Sequence, residues 1–438
     1  MADLSVDFAG IKAPNPFWVA SGPPSNTAHQ AHRAFEAGWG GVVWKTIGDP
    51  IVNVASRYSA LNHGPARMIG FNNIELISDR SPEANFREIA EVKKRWPHHA
   101  VIASLMVDTR ERWHEFVKRS ADAGADGIEL NYGCPHGMCE RGMGSAVGQQ
   151  PAVAEKITSW VMEAATIPVI VKLTPNITDI TAAARAARRA GADAISLINT
   201  LNSITNVDLD TLVPEPAVRS FSSHGGYAGP AVKPVALHMV QSCAADPEVG
   251  LPISGIGGIA TWRDAAEFIA LGANSLQVCT AIMHHGFRIV EDMADGLNAY
   301  LDRKGMKSLG DLLGRSVPTL KKWDDLDLHY RRVARIDYEK CIGCNLCYIA
   351  CEDGAHQCID LVPPAPLGIG PGPGRIPDKP VPQIREADCV GCNLCSLVCP
   401  VDDCIRMAEI DTGRAPMSWS DYQERLARGA MAPIPPHP

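Results

Sequence analysis

What this 438-residue sequence lacks narrows its role before any motif is read. No apolar run approaches the ~20 residues needed to cross a bilayer. The opening stretch, Met-Ala-Asp-Leu-Ser-Val-Asp, has neither the basic nor the apolar region of a secretory signal. There is no basic arm or stripe: 41 Lys and Arg stand against 49 Asp and Glu, a net charge of −8. That balance speaks against a nucleic-acid surface. Together these absences predict a cytoplasmic protein with no membrane and no nucleic-acid partner. The length allows two domains or more.

What is present is unevenly placed. Of 14 cysteines, ten lie at or beyond Cys341. In a reducing compartment such clustering points to metal rather than to disulfides.

Eight strand-like runs span residues 17 to 279. They are Phe17-Trp-Val-Ala20, Gly41-Val-Val-Trp-Lys45, Val101-Ile-Ala-Ser-Leu105, Ile128-Glu-Leu130, Val169-Ile-Val-Lys-Leu173, Ala194-Ile-Ser-Leu-Ile198, Pro252-Ile-Ser-Gly-Ile256 and Ser275-Leu-Gln-Val-Cys279. Helical patterns separate them, at Thr27 to Ala37, Pro82 to Arg95, Arg110 to Ala123, Pro151 to Ala165, Ile180 to Ala190, Lys233 to Ala244 and Thr261 to Leu271. Such alternation implies an α/β fold with a parallel sheet, and eight units suit a (β/α)8 TIM barrel. A weak repeat agrees: Ala37-Gly-Trp-Gly-Gly, Ala123-Gly-Ala-Asp-Gly, Ala190-Gly-Ala-Asp-Ala and Leu271-Gly-Ala-Asn-Ser each place a C-cap glycine between a helix and a strand. The helix-to-strand turns are short. The strand-to-helix connections 46–81, 131–150 and 199–232 are long, and barrel enzymes build their sites on that face. We expect the barrel over 1–303, a charged connector over 304–335, a cysteine domain over 336–411 and a tail over 412–438 that frays at its Pro-rich end. Residues 361–382, rich in Pro and Gly, are expected to be irregular.

Within the cysteine domain, Cys341-x2-Cys344-x2-Cys347-x3-Cys351 recurs as Cys389-x2-Cys392-x2-Cys395-x3-Cys399-Pro400. This is the spacing of a ferredoxin-like domain with two [4Fe-4S] clusters, in which the fourth Cys of each run reaches the other cluster. It assigns Cys341, Cys344, Cys347 and Cys399 to one cluster, and Cys389, Cys392, Cys395 and Cys351 to the other. Glu352 stands where the second run has Pro400, which leaves the thiols unaffected. Cys358 and Cys404 are spare. Paired clusters pass single electrons, so hydride chemistry needs a second cofactor, and a flavin interconverts the two.

A flavin phosphate fits the loops after the seventh and eighth strands, where the amides of Gly257 and Gly258 and the Thr280 side chain converge. Gly255-x-Gly257-x-x-Ala260 also matches a loose dinucleotide fingerprint, but no acidic residue follows at ribose distance. Lys45 and Lys172 close strands at their C-terminal ends, where a buried lysine needs an anion; Lys172 suits the flavin N1–O2 edge. Asn131, Asn199, Thr200 and Asn73 offer donors and acceptors for an uncharged ring of alternating C=O and N–H. Between Asn131 and Gly148 lies a glycine-rich loop with little apolar anchor. It carries Cys134, well placed to act on a substrate that the loop then covers.

Phe71-Asn-Asn-Ile-Glu-Leu-Ile-Ser78, Asn131-Tyr-Gly-Cys-Pro-His-Gly-Met138, Glu140-Arg-Gly-Met-Gly144, Lys172-Leu-Thr-Pro-Asn176 and the double cysteine run closely resemble dihydropyrimidine dehydrogenase. The likeness is strongest to the bacterial NAD-dependent type, in its subunit with a flavin barrel and a C-terminal ferredoxin domain. The resemblance implies FMN in the barrel, uracil or thymine stacked on it, hydride passing between flavin N5 and pyrimidine C6, and Cys134 exchanging a proton at C5. It implies pyrimidine contacts from Asn73, Asn131, Asn199 and Thr200. It further implies flavin contacts from Ala20, Ser21, Lys45, Thr46, Asn73, Asn131, Lys172, Gly229, Gly257, Gly258, Cys279 and Thr280. Gly133 stands where some relatives carry Ser, and Cys139 adds a second loop thiol. No convincing FAD or NADPH site is present, so NADH and FAD would belong to a separate flavoprotein subunit, in an oligomer such as a heterotetramer. A dihydroorotate dehydrogenase and an iron–sulfur electron-transfer subunit are the alternatives.

Overall fold

The computed structural model describes residues 2–368, 370, 372, 374–376 and 378–433. The Pro-rich end at 434–438, expected to fray, lies outside them. The chain divides into two compact units, Met1–Leu320 and Lys321–Pro438.

In the first unit the eight expected strands form. They are β1 (Phe17–Val19), β2 (Gly41–Val43), β3 (Ala100–Leu105), β4 (Gly127–Asn131), β5 (Val169–Lys172), β6 (Ala194–Leu197), β7 (Ile253–Ile256) and β8 (Ala273–Val278). All neighbours run parallel and the sheet closes, β8 pairing with β1 and β4 with β5. In β3 to β7 every residue is buried. Helices cover one face and side chains fill the other, so these strands read as continuous apolar runs rather than alternating ones. The helices are α1 (Ala28–Ala37), α2 (Pro82–Arg95), α3 (Arg110–Asp122), α4 (Pro151–Ala164), α5 (Ile180–Arg189), α6 (Lys233–Ala245), α7 (Trp262–Ala270) and α8 (Ile289–Arg303). Local chemistry sets their starts: the side chains of Thr27, Ser81, Thr109, Asp179 and Thr261 each accept a first-turn amide. Gly38, Gly124, Gly191 and Gly272 adopt the left-handed conformation after their helices, with φ of 108°, 77°, 90° and 108°. That is the turn the repeat encodes.

Two features of this unit escaped the sequence reading. A hairpin of Val6–Phe8 and Ile11–Ala13 packs with Trp18, Val43, Ile102 and Ile170, with Phe8 edge-on to Trp18. The second feature concerns the long excursions after β2 and β6. They are not open loops. Tyr58–His63, Ala66–Asn73, Gly225–Ala228 and Leu201–Ser203 form a four-stranded antiparallel sheet, in which Gly226 faces Asn73. Its strands come from two connections far apart in sequence, so no local pattern announces their pairing.

The second unit pairs Arg331–Ile336 with Ile405–Ile410 and Ile359–Val362 with Val381–Ile384. Both ends of the 361–382 stretch, expected to be irregular, are strand. The short helices Leu346–Glu352 and Leu394–Leu397 follow the cysteine turns. The tail from Thr412 also holds more structure than expected. Trp419–Ala427 is a helix with a Ser418–Asp421 capping box, and Trp419 packs on Trp323 and Tyr422. A reciprocal cap, with Tyr422 buried beneath the aromatic contacts, orders this short helix.

Candidate active site

A cavity opens at the C-terminal ends of the barrel strands. Its wall takes Ala20 and Ser21 after β1, Lys45 and Thr46 after β2, Asn131 and Lys172 from β4 and β5, and Asn199 and Thr200 after β6. Gly257 and Gly258 after β7 and Cys279 and Thr280 after β8 complete the barrel's share. Asn73 and Gly229 come from the antiparallel sheet and its exit, and Cys134 from the loop after β4. Residues up to 260 apart in the chain thus share one wall because each stands where a strand ends (Ala20 to Thr280).

A hydrogen-bond chain fixes the amides. Asn131 Oδ1 accepts from the Gly133 amide at 3.1 Å and from Asn199 Nδ2 at 2.9 Å, which uses both its lone pairs. Asn131 Nδ2 donates to Thr46 Oγ1 at 2.9 Å, and Thr46 also meets Ser104 at 3.0 Å and Ser21 at 3.2 Å. Asn131 therefore has one N–H left and no acceptor. Asn199 Oδ1 accepts from the Thr200 amide at 2.8 Å, leaving Asn199 one N–H and one lone pair. Asn73 Nδ2 donates to the Gly226 carbonyl at 3.0 Å, which leaves its Oδ1 free. The same geometry accounts for Gly133: a Cβ there would lie 2.3 Å from both Cβ and Nδ2 of Asn199. The space that a side chain at 133 would need is filled by Asn199.

Both strand-end lysines meet carboxylates of the chain itself. Lys45 pairs with Glu75, which also accepts from the Tyr58 hydroxyl; burial and that carboxylate push the Tyr58 hydroxyl well above its ordinary range. Lys172 Nζ lies 3.4 Å from Glu129 Oε1, deep in the barrel. Glu129 is fully buried and takes 2.8 Å hydrogen bonds from Ser196 and Gln277 on its other oxygen. An anion from outside the chain is therefore not required to hold either lysine. Each ammonium, with three hydrogens, still has donors to spare.

At the far end of the cavity Gly229, Gly257 and Gly258 have φ of 91°, 134° and 73°. Cβ atoms at 257 and 258 would meet Ala236 Cβ at 2.6 Å and the Gly229 carbonyl at 2.9 Å. Among the described residues the Gly257 and Gly258 amides have no backbone acceptor. Free amides in a cradle without side chains fit a phosphate. The lysines at the other end fit a flavin edge that gains charge on reduction.

Cys134 is half-buried, and its thiol points to the His136 carbonyl at 3.5 Å. Burial pushes the thiol up to about 11, so it stays protonated through the neutral range. The loop is better anchored than its glycines suggest. Met138 packs with Ile77 and Met106, and His136, itself buried, reaches the Glu75 carbonyl at 3.2 Å. Cys139 turns its thiol to the Pro135 carbonyl at 3.1 Å and does not line the cavity.

In the second unit the motif cysteines gather at two cavities. One is lined by Cys341, Cys344, Cys347 and Cys399, with Cys404 beside them. The other is lined by Cys351, Cys389, Cys392 and Cys395, with Cys358 beside them. Each cavity joins three thiols of one run to the last thiol of the other. Among the described residues no three such side chains converge on a point that would hold one metal ion. Thiolates on a single zinc sit about 2.3 Å from it, whereas those on the corners of a cubane stand further apart. The donor set is all sulfur and the cavities are apolar, which fits cubic iron–sulfur clusters.

Comparison with known proteins agrees with both units. Residues 3–301 match the model of the dihydroorotate dehydrogenase family and residues 334–407 that of the 4Fe-4S dicluster domain. The chain is 46% identical, over 360 residues, to the NAD-dependent dihydropyrimidine dehydrogenase subunit PreA of Escherichia coli K12, covering 82% of this chain and 87% of that one. It belongs to the dihydropyrimidine dehydrogenase family. The chloroplastic NADP-dependent dihydropyrimidine dehydrogenase of Arabidopsis thaliana is 41% identical over 337 residues, 74% of this chain and 79% of its own. The catalytic subunit of Pyrococcus abyssi dihydroorotate dehydrogenase B is 36% identical over 315 residues, 72% and 99% respectively.

Membership makes the chain an oxidoreductase with a TIM barrel and a two-cluster iron–sulfur domain. No helix among the described residues is long and apolar enough to cross a membrane. In this family member the sequence reading missed Glu75, Tyr58 and Tyr227, all on the cavity wall, and Glu129 beneath it. Glu129 carried one signal: a lone carboxylate inside an apolar strand run has to meet a partner. Glu75 carried none, because its role depends on a sheet built from two distant connections.

Proposed function

We propose that the barrel reduces the 5,6 double bond of uracil or thymine, as the names of the E. coli and Arabidopsis relatives suggest for those proteins. The observation that carries this reading is the state of the amides. Asn131 can only donate, so it suits a ring carbonyl, while Asn199 and Asn73 keep both a donor and a free acceptor. That set matches a flat ring edge of carbonyls flanking an N–H. Thr200 stands beside Asn199 to meet the same edge. Cys134, protonated, delivers its proton to C5. Gly229, Gly257, Gly258, Thr280 and Cys279 cradle the ribityl phosphate end of FMN. Ala20, Ser21 and Thr46 line its ring, and Lys45 and Lys172 face its polar edge. Bound there, FMN would supply the hydride, from N5 to pyrimidine C6. Two [4Fe-4S] clusters, which would be held by Cys341, Cys344, Cys347 and Cys399 and by Cys389, Cys392, Cys395 and Cys351, would supply electrons one at a time. Those electrons originate from NADH at a separate FAD-containing subunit, in keeping with the E. coli relative's name as an NAD-dependent subunit. A heterotetramer of the two kinds of chain is the assembly we propose.

Orotate is the runner-up substrate, since the barrel matches the dihydroorotate dehydrogenase model. Its carboxylate wants an unpaired cation, and both lysines on the cavity wall already have carboxylate partners. An anaerobic experiment separates these readings. The purified protein is reduced, uracil is added, and flavin reoxidation is followed together with dihydrouracil formation. Turnover of orotate in place of uracil would replace our reading with the runner-up. A protein that binds no FMN would leave only an electron carrier.

A further inference from the structure

A cubane takes four thiolates, yet each cysteine cavity is lined by five cysteines. The fifth in each case is a residue with no role in the double run. Cys358 and Cys404 are both buried, each at the wall of a cavity that also holds the cross-contributed ligand, Cys351 or Cys399. Each stands beside a ligand of its own cavity's cluster. Cys358 Sγ lies 3.6 Å from Cys351 Sγ, and the Cys358 amide also points to Cys351 Sγ at 3.4 Å. Cys404 turns its thiol to the Asp337 carbonyl at 3.7 Å and also meets the Cys399 side chain, a ligand of the other cluster.

Cys358 lies outside the four-ligand set, so its thiol is available as a hydrogen-bond donor. With Cys351 and Cys389 as thiolate ligands, the Cys358 S–H has acceptors at hand within one cluster, and Cys351 is the one its sulfur and amide both meet. Hydrogen bonds to ligating sulfur stabilise the reduced, more negative cluster and raise its potential. We propose that Cys358 is a positioning and tuning residue that donates its S–H to the Cys351 thiolate and raises the potential of the cluster held by Cys351, Cys389, Cys392 and Cys395. Cys404 leaves that cluster untouched.

The inference rests on the ligand assignment above, and the test separates the two. Anaerobically purified, full-length Cys358→Ala and Cys404→Ala chains are assayed for iron and sulfide, then titrated potentiometrically with the reduced clusters followed by EPR. In Cys358→Ala we expect undiminished iron, one cluster with its midpoint moved to a more negative value, and the other cluster in place. Cys358→Ser, which keeps a donor, should recover part of the shift. In Cys404→Ala the cluster that moved in Cys358→Ala should stay where it is in the parent. Full iron with both midpoints unchanged in Cys358→Ala overturns the tuning role and leaves the ligand assignment standing. Loss of one cluster's iron in Cys358→Ala overturns the assignment itself, since Cys358 would then be a ligand. A shift of the same cluster in Cys404→Ala overturns the proposal by showing that the effect is not local.

Discussion

Gly133→Ala tests the proposed pyrimidine site with a single methyl group. The backbone at Gly133 is not in the left-handed region, so the new side chain brings no conformational strain of its own. Its Cβ would, however, fall 2.3 Å from Asn199 Cβ and Nδ2. Carbon–carbon contact is comfortable at about 3.5 Å, so Asn199 has to retreat by roughly 1 Å. A displacement of that size breaks the 2.9 Å bond from Asn199 to Asn131 and the 2.8 Å bond from the Thr200 amide to Asn199. Losing such bonds in this half-buried setting costs about 1–3 kcal/mol, which is roughly 5–150-fold in affinity. The assay is pyrimidine binding, followed as perturbation of the flavin spectrum in oxidised protein, and repeated in an Asn199→Ala background. We expect Gly133→Ala to weaken binding within that range. We also expect it to add little once Asn199 is already truncated, because the two changes act through one contact. Binding within twofold of the parent, or full additivity with Asn199→Ala, would refute the reasoning.

Two further outcomes follow from the same cavity. Cys134→Ala should keep pyrimidine binding yet lose about 10²–10⁴-fold in turnover, as removal of a positioned acid does; single-turnover reduction of uracil measures it, and near-normal turnover would remove Cys134 from its role. Because burial raises this thiol to about 11, the acid form persists through pH 9, where an ordinary thiol of about 8.5 would already have lost more than half its protons; a pH–rate profile that begins to fall near 8.5 through this group would contradict that. Gly258→Ala introduces a Cβ 2.9 Å from the Gly229 carbonyl at a φ of 73°, so the purified variant should carry markedly less FMN, read from its absorbance, and show at least about tenfold weaker FMN rebinding.

Strands β1 to β8, their helices and the left-handed glycines after α1, α3, α5 and α7 were legible from the chain alone. So were the two cysteine runs and a thiol on the loop after β4. Each of these is a local pattern: apolar run, capping residue, turn glycine or ligand spacing, complete within a few tens of residues. The tertiary structure decided what meets across the barrel. Glu129 finds Ser196 and Gln277 at sequence separations of 67 and 148 residues, and Asn131 finds Thr46 at 85. The antiparallel sheet that delivers Asn73 and places Glu75 over Lys45 joins connections after β2 and β6. Cys358 reads as a spare residue until the second cavity brings its sulfur beside Cys351. The reason is physical: backbone periodicity is written into neighbouring residues, whereas the orientation of an amide, the partner of a buried charge and the acceptor of a thiol proton are set by atoms that only folding makes neighbours.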